Sequence, residues 1–168
     1  QEQLTADTTT MQHGSPFGTH RVLAPRGVLP QPAWKIDNTM DICDNEILID
    51  VSALNIDAAS FTQIKQEAQG DEARVAEIVL GIVAERGKHH NPVTGSGGML
   101  IGTVLEIGPA LAGTIDLKVG DKIATLVSLS LTPLRIDCIK KIHIHKDQIE
   151  IQGKAILFET GLYARLPA

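Results

Sequence analysis

Between Gly95 and Ser130 the chain reads GSGGMLIGTVLEIGPALAGTIDLKVGDKIATLVSLS. A glycine-rich loop leads into one apolar strand, Met99 to Ile107. After a connection over Gly108 to Lys118, the turn at Val119 to Asp121 reverses the chain into a second strand, Lys122 to Val127. Short apolar runs bounded by Gly and Asp are strand signals rather than helix signals. The same grammar recurs elsewhere. EILIDVSALN, Glu46 to Asn55, alternates apolar and polar residues and predicts a strand. Leu134 to Ile144 and Gln148 to Ile151 alternate as well, and Ala155 to Phe158 predicts a short buried strand.

One segment departs from this pattern. After Asp57 the apolar residues Val75, Ile78, Val79, Ile82 and Val83 recur at helical spacing, which predicts an amphipathic helix ending at Gly87. Gly70 is placed to divide it from a shorter helix before it. Repeated Pro and Gly from Pro16 to Pro32 exclude a long helix there and predict short extended pieces. The polar, threonine-rich start is expected to be a disordered tail or appended residues over positions 1–14, with one domain over 15–168. The sum is a mainly β domain, a partly open β-barrel with one inserted helical segment at about residues 58–87. With 168 residues the chain is long enough for a real core, and at 3% aromatics that core must come from Ile, Leu and Val.

A formal charge of −5 with no run of Lys or Arg argues against nucleic acid or an anionic membrane as partner. Cys43 and Cys138 lie far apart and outside any CxxC spacing, which fits reduced thiols and a cytoplasmic protein. No apolar stretch approaches the roughly 20 residues that span a bilayer.

Candidate chemistry is sparse. His143 and His145, two apart on a predicted strand, share a face, but zinc needs a third ligand and none stands at a suitable spacing. They read as a solvated strand face, and no metal site is expected. The adjacent His89 and His90 are expected on a mobile loop. Gly95, Gly97 and Gly98 suggest a phosphate cradle, yet they precede a strand, whereas phosphate loops follow a strand and open a helix. Their expected use is close backbone approach to another segment or a ligand. Asp57 directly follows a predicted strand. It is either a site carboxylate at a strand end or the N-cap of the helix beginning at Ala58.

Taken together, EILIDVSALNID, the glycine loop and GTVLEIGPALAGTIDLKVGDKIATLV resemble the GroES-like catalytic domain of the medium-chain dehydrogenases. Within that superfamily SPFGTHRVLAPRGVLPQPAWKIDN, NPVTGSGGMLIGTV and KIATLVSLSLTPLRID are similar to the diaminohexanoate dehydrogenases of lysine fermentation. The resemblance runs from about Ser15 to the C-terminus. It implies NAD-dependent oxidative deamination of a small diamino acid, a homodimer or tetramer, and a nucleotide-binding Rossmann domain after Leu166 and Pro167 that this sequence does not contain. Zinc-dependent relatives carry a cysteine where Asp57 stands and the His and Glu of a GHE where Gly98 and Met99 stand, so the resemblance implies a zinc-free site.

On that basis Asp57 is expected to accept the proton of the substrate ammonium, with His20 as a second candidate base. Ser60, Thr94, Ser96, Gly97 and Gly98 are expected to bind substrate or cofactor. Two other readings remain: a zinc-free reductase of the quinone type, and a binding or assembly module that kept the barrel without the enzyme.

Overall fold

A computed structural model describes residues 11–167. Its framework is a six-stranded antiparallel sheet, built from β3 (Ile47–Ile56), β4 (Gly98–Ile107), β5 (Lys122–Thr125), β6 (Leu134–His143), β7 (Gln148–Leu157) and β8 (Tyr163–Arg165). The spatial order is β6-β7-β3-β4-β5-β8. A small ribbon of β1 (Val22–Ala24) and β2 (Lys35–Ile36) stands apart from it. The sheet is open, with β6 and β8 as its edges, in keeping with a partly open β fold rather than a closed barrel.

The inserted helical segment is two helices, α1 (Ala58–Ala68) and α2 (Glu72–Arg86). Gln69 and Gly70, both in the left-handed region, divide them, and Gly87 at φ 75° ends α2. The helical spacing read from the sequence is the buried face: Val75, Val79 and Val83 are buried, and Ile78 and Ile82 pack against the same core. That core is aliphatic apart from Phe61. It gathers Ile49, Leu54, Ile64, Leu100, Ile123, Leu134 and Ile149, all without solvent exposure.

Several elements differ from expectation. The two pieces expected at 148–151 and 155–158 are one strand, β7. Gly153 lies within it because a Cβ there would overlap the Arg135 carbonyl oxygen of β6; the glycine marks a close crossing, not a strand end. β6 stops at His143, so His145 lies in the following turn and shares no strand face with it. His143 instead pairs with Glu150 across the ladder. Of the expected tail, residues 1–10 lie outside the described residues. The described remainder is tied down: Asn45 accepts from Gly14 N–H at 2.9 Å and donates to Gly14 O at 2.7 Å, and Asp44 N–H donates to Gln12 O. Among the described residues no helix is long and apolar enough to cross a membrane.

Beneath the N-terminal segment lies a buried ion pair. Arg21 Nε and Nη2 donate to Glu46 Oε2 and Oε1 at 2.7 and 2.8 Å, and the remaining Arg21 donors go to the carbonyls of Asp37, Thr39 and Asp41. Cys43 N–H completes the set on Oε1.

Candidate active site

β3 is the best-paired strand in the sheet, flanked by β4 and β7 along nearly its whole length. Its last residue hands the chain to Asp57, whose N–H donates to Gly97 O at 3.1 Å. Asp57 caps α1: its Oδ1 accepts from Ser60 N–H at 2.7 Å, satisfying one of the free amides of the first turn. The same Oδ1 accepts from Ser96 Oγ at 2.9 Å, and Ser96 is in turn 2.8 Å from Thr94 Oγ1. Oδ2 accepts none of the described hydrogen bonds. Asp57 is half-buried and lines an open cleft of about 740 Å³ with Ile56, Met99, Leu126, Val127 and Ser128. Capping and facing the cleft, the alternatives left open by the sequence, are therefore both true of this one carboxylate.

Asn91 organises the loop that carries the two hydroxyls. Its Oδ1 accepts from Val93 and Thr94 N–H, and its Nδ2 donates to Gln63 Oε1 at 2.8 Å. Its backbone N–H donates to Ser96 O. The loop is thus fastened to α1 and presents Ser96 to the residue that caps it.

The other sequence candidates divide. Ser96 and Thr94 are brought to Asp57. Ser60 is fully buried, so its backbone N–H rather than its hydroxyl serves the site. A Cβ on Gly97 would come to 2.9 Å from both His89 O and Ser130 N, and one on Gly98 would overlap Asn55 O. Both glycines are thus explained by packing within the chain. His20 belongs to a different place. Its Nδ1 accepts from Ser15 N–H, so Nε2 carries the proton and donates to Glu46 Oε2 at 2.8 Å. His20, Cys43 and Glu46 bring ligand-type atoms within 4.8 Å of one another. Arg21 already occupies both Glu46 oxygens, and a guanidinium in that position opposes a cation.

The pair His89–His90 corrects the expected mobile loop. His89 is completely buried and neither ring nitrogen meets a protein partner among the described residues. Burial pushes it down to about 4, against the pull of the Asp57 charge. Such unmade bonds cost on the order of 1–3 kcal/mol each. Lys88 beside it is equally buried, donating to Pro30 O and Gln31 O at 2.7 and 3.1 Å, and is pushed down to about 7 by burial and by Arg86. KHH gave no sequence signal of burial, because three polar residues before a Pro–Gly loop carry the composition of a surface turn. Ser128 was missed for a similar reason, as one hydroxyl in a row of small polar residues.

The family model for the L-erythro-3,5-diaminohexanoate dehydrogenase N-terminal domain matches residues 20–167. The chain belongs to this family. It is 66% identical over 154 residues to L-erythro-3,5-diaminohexanoate dehydrogenase of Acetoanaerobium sticklandii, covering 92% of this chain and 45% of that protein. With the protein of the same name from Fusobacterium nucleatum subsp. nucleatum the identity is 68% over 157 residues, covering 94% and 46%. The chain spans about half the length of these curated relatives. Among the described residues, the cleft at Asp57 brings together a cleft wall, a carboxylate oxygen free of hydrogen bonds and convergent hydroxyls. A second groove, of about 470 Å³ between Phe17, Leu29, Val127 and Phe158, carries no titratable side chain.

Proposed function

We propose that this domain forms the substrate side of a cytoplasmic, zinc-free, NAD-linked dehydrogenase. It deaminates L-erythro-3,5-diaminohexanoate at C3 to 5-amino-3-oxohexanoate, a step of lysine fermentation. The observation that carries the reading is Asp57: one oxygen is fixed by Ser60 and Ser96, and the other is unbonded at the cleft wall. The names of the two relatives support the substrate and the reaction class.

An amine reaches the site as an ammonium, and one of its protons must leave before the C3–H electron pair can. Asp57 binds that cation, takes the proton on its open oxygen, and then faces the positive iminium left at C3. Water adds to the iminium carbon and gives up one proton to solvent; the carboxyl returns its own proton to the leaving nitrogen, so that ammonium departs and the ketone remains. Ser96 and Thr94 hold the carboxylate in place through this exchange. The dinucleotide, when bound, supplies the hydride acceptor. The apolar wall of Met99, Leu126 and Val127 beside Ser128 would suit a nicotinamide ring. A single negative charge at the reacting centre suits an ammonium and opposes the oxyanion that develops when a neutral carbonyl is reduced, which ranks the quinone-type reading second.

The test is NADH formation by the complete protein supplied with diaminohexanoate and NAD. Asn caps a helix as well as Asp does, so Asp57→Asn should keep the fold while lowering turnover by at least about 10²-fold. Near-wild-type turnover in a folded Asp57→Asn protein would leave Asp57 as a cap alone.

A further inference from the structure

Two arms of the chain reach the same oxygen of Asp57. One is the first turn of α1, through Ser60 N–H at 2.7 Å; the other is the loop of residues 91–96, through Ser96 Oγ at 2.9 Å. A pair of side-chain amides ties the two arms together away from the cleft. Gln63, about one turn further along α1, accepts from Asn91 Nδ2 on its Oε1 at 2.8 Å. Both amides are fixed in orientation. Gln63 spends its Nε2 on Glu67 Oε1 at 3.2 Å, so its oxygen is the end left for Asn91. Asn91 spends its Oδ1 on the Val93 and Thr94 amides, so its nitrogen is the end left for Gln63. From Asn91 the path returns to the site through its own N–H, which donates to Ser96 O at 2.8 Å, and through Thr94 Oγ1, 2.8 Å from Ser96 Oγ. Asp57, Ser60, Gln63, Asn91 and Ser96 thus close a ring, in which Asn91 is buried. Neither Gln63 nor Asn91 lines the Asp57 cleft.

We propose that Gln63 and Asn91 are positioning residues for Asp57: by tying the loop to the helix they keep both donors on Oδ1 and so fix Oδ2 as the oxygen offered to the substrate. This rests on the reading of Asp57 as the group that takes the ammonium proton. A carboxylate turns readily about its last side-chain bond, and a hydroxyl on an untied loop would follow it or let go. With loop and helix joined, the two donors keep one spacing, and a single orientation of the carboxylate accepts from both. Proton transfer needs that fixed orientation, because a small misplacement of reacting groups costs rate steeply. The amide pair acts on Asp57 only through Ser96 and the helix it ties.

The experiment is a double-mutant cycle in the complete protein, with Gln63→Leu, Ser96→Ala and both together, read as kcat/KM for diaminohexanoate with NAD. Loss of one hydrogen bond of ordinary net strength corresponds to about fivefold in rate. Gln63→Leu should lower kcat/KM by about that factor when Ser96 is intact. In the Ser96→Ala background it should cost less than about twofold, because the arm it ties no longer reaches Asp57. Gln63→Glu keeps an acceptor for Asn91 and should stay within about twofold of wild type. Equal losses from Gln63→Leu in the two backgrounds, which a merely structural role would give, overturn the proposal, and so does no loss in either. The second readout needs no substrate. Hydrogen–deuterium exchange of the amides of residues 93–96 should quicken by about fivefold in Gln63→Leu while the amides of β3 keep their wild-type rates. Unchanged exchange in the loop overturns the tie. If instead Asp57→Asn retains turnover while the loop exchange quickens in Gln63→Leu, the ammonium reading fails and the tie between helix and loop stands.

Discussion

Glu46→Gln isolates the charge of the most buried carboxylate in the described structure. Glu46 is 1% exposed and its partner Arg21 3%. Arg21 and His20 hydrogen bonds and the Cys43 amide, opposing the cost of burial, hold the Glu46 carboxyl at about 2 instead of 4.5. At about 1.4 kcal/mol per pH unit, that depression corresponds to about 3 kcal/mol of stability. Breaking a buried pair by removing one charge costs about 3–5 kcal/mol by an independent route, because the amide leaves the guanidinium unbalanced and turns an NH₂ toward groups that themselves donate. The sign follows from the direction: a carboxyl lowered in the folded state stabilises fully above about pH 5, and the contribution is lost as the pH falls toward about 2. Urea unfolding of wild type and Glu46→Gln near pH 7 should differ by about 3 kcal/mol, a midpoint shift of about 1.5 M for a slope of about 2 kcal/mol per molar. Repeated at lower pH, the two curves should converge. A difference under about 1 kcal/mol near pH 7, or one that persists unchanged at about pH 2.5, would falsify the assignment.

Two further predictions concern the surroundings of the site. Gly98→Ala places a methyl group on the Asn55 carbonyl oxygen, at a backbone φ of 140° that disfavours any side chain. The start of β4 should be displaced, with a loss of at least about 2 kcal/mol in thermal or urea unfolding, whereas Gly113→Ala, in open space, should cost less. Lys88, pushed down to about 7 from 10.5, binds its proton more weakly folded than unfolded. Wild-type stability should consequently rise relative to Lys88→Met between about pH 7 and pH 10, and a constant difference in urea midpoint across that range refutes the buried-amine assignment.

Much of the framework was legible in the chain. β3, β4 and β6 follow alternation, and α2 follows its valine and isoleucine spacing, because each buries one face and the period records which. What escaped has a physical cause in each instance. β1 is among the short extended pieces expected between Pro16 and Pro32, but β2 and β8, two and three residues long, are too short for any period to register. Asp57 was visible as a strand-end carboxylate, but the sharing of its Oδ1 between Ser60 and Ser96 joins positions 36 residues apart in sequence. His89 and Lys88 were illegible because burial of a polar side chain leaves no compositional trace; only the carbonyls of Pro30 and Gln31, or the absence of any partner, reveal it. His20, plausible as a base from its residue type, is spent on Glu46 and Ser15.

Asp57 is held by two parts of the chain that answer to different demands. Its backbone continues the central strand, where any change disturbs both neighbouring ladders. The hydroxyls that aim its carboxylate ride on a short exposed loop fastened through Asn91. Substitution within Pro92 to Ser96 can therefore reposition the same carboxylate while the sheet beneath stays as it is. The strand keeps the charge, and the loop sets where it points.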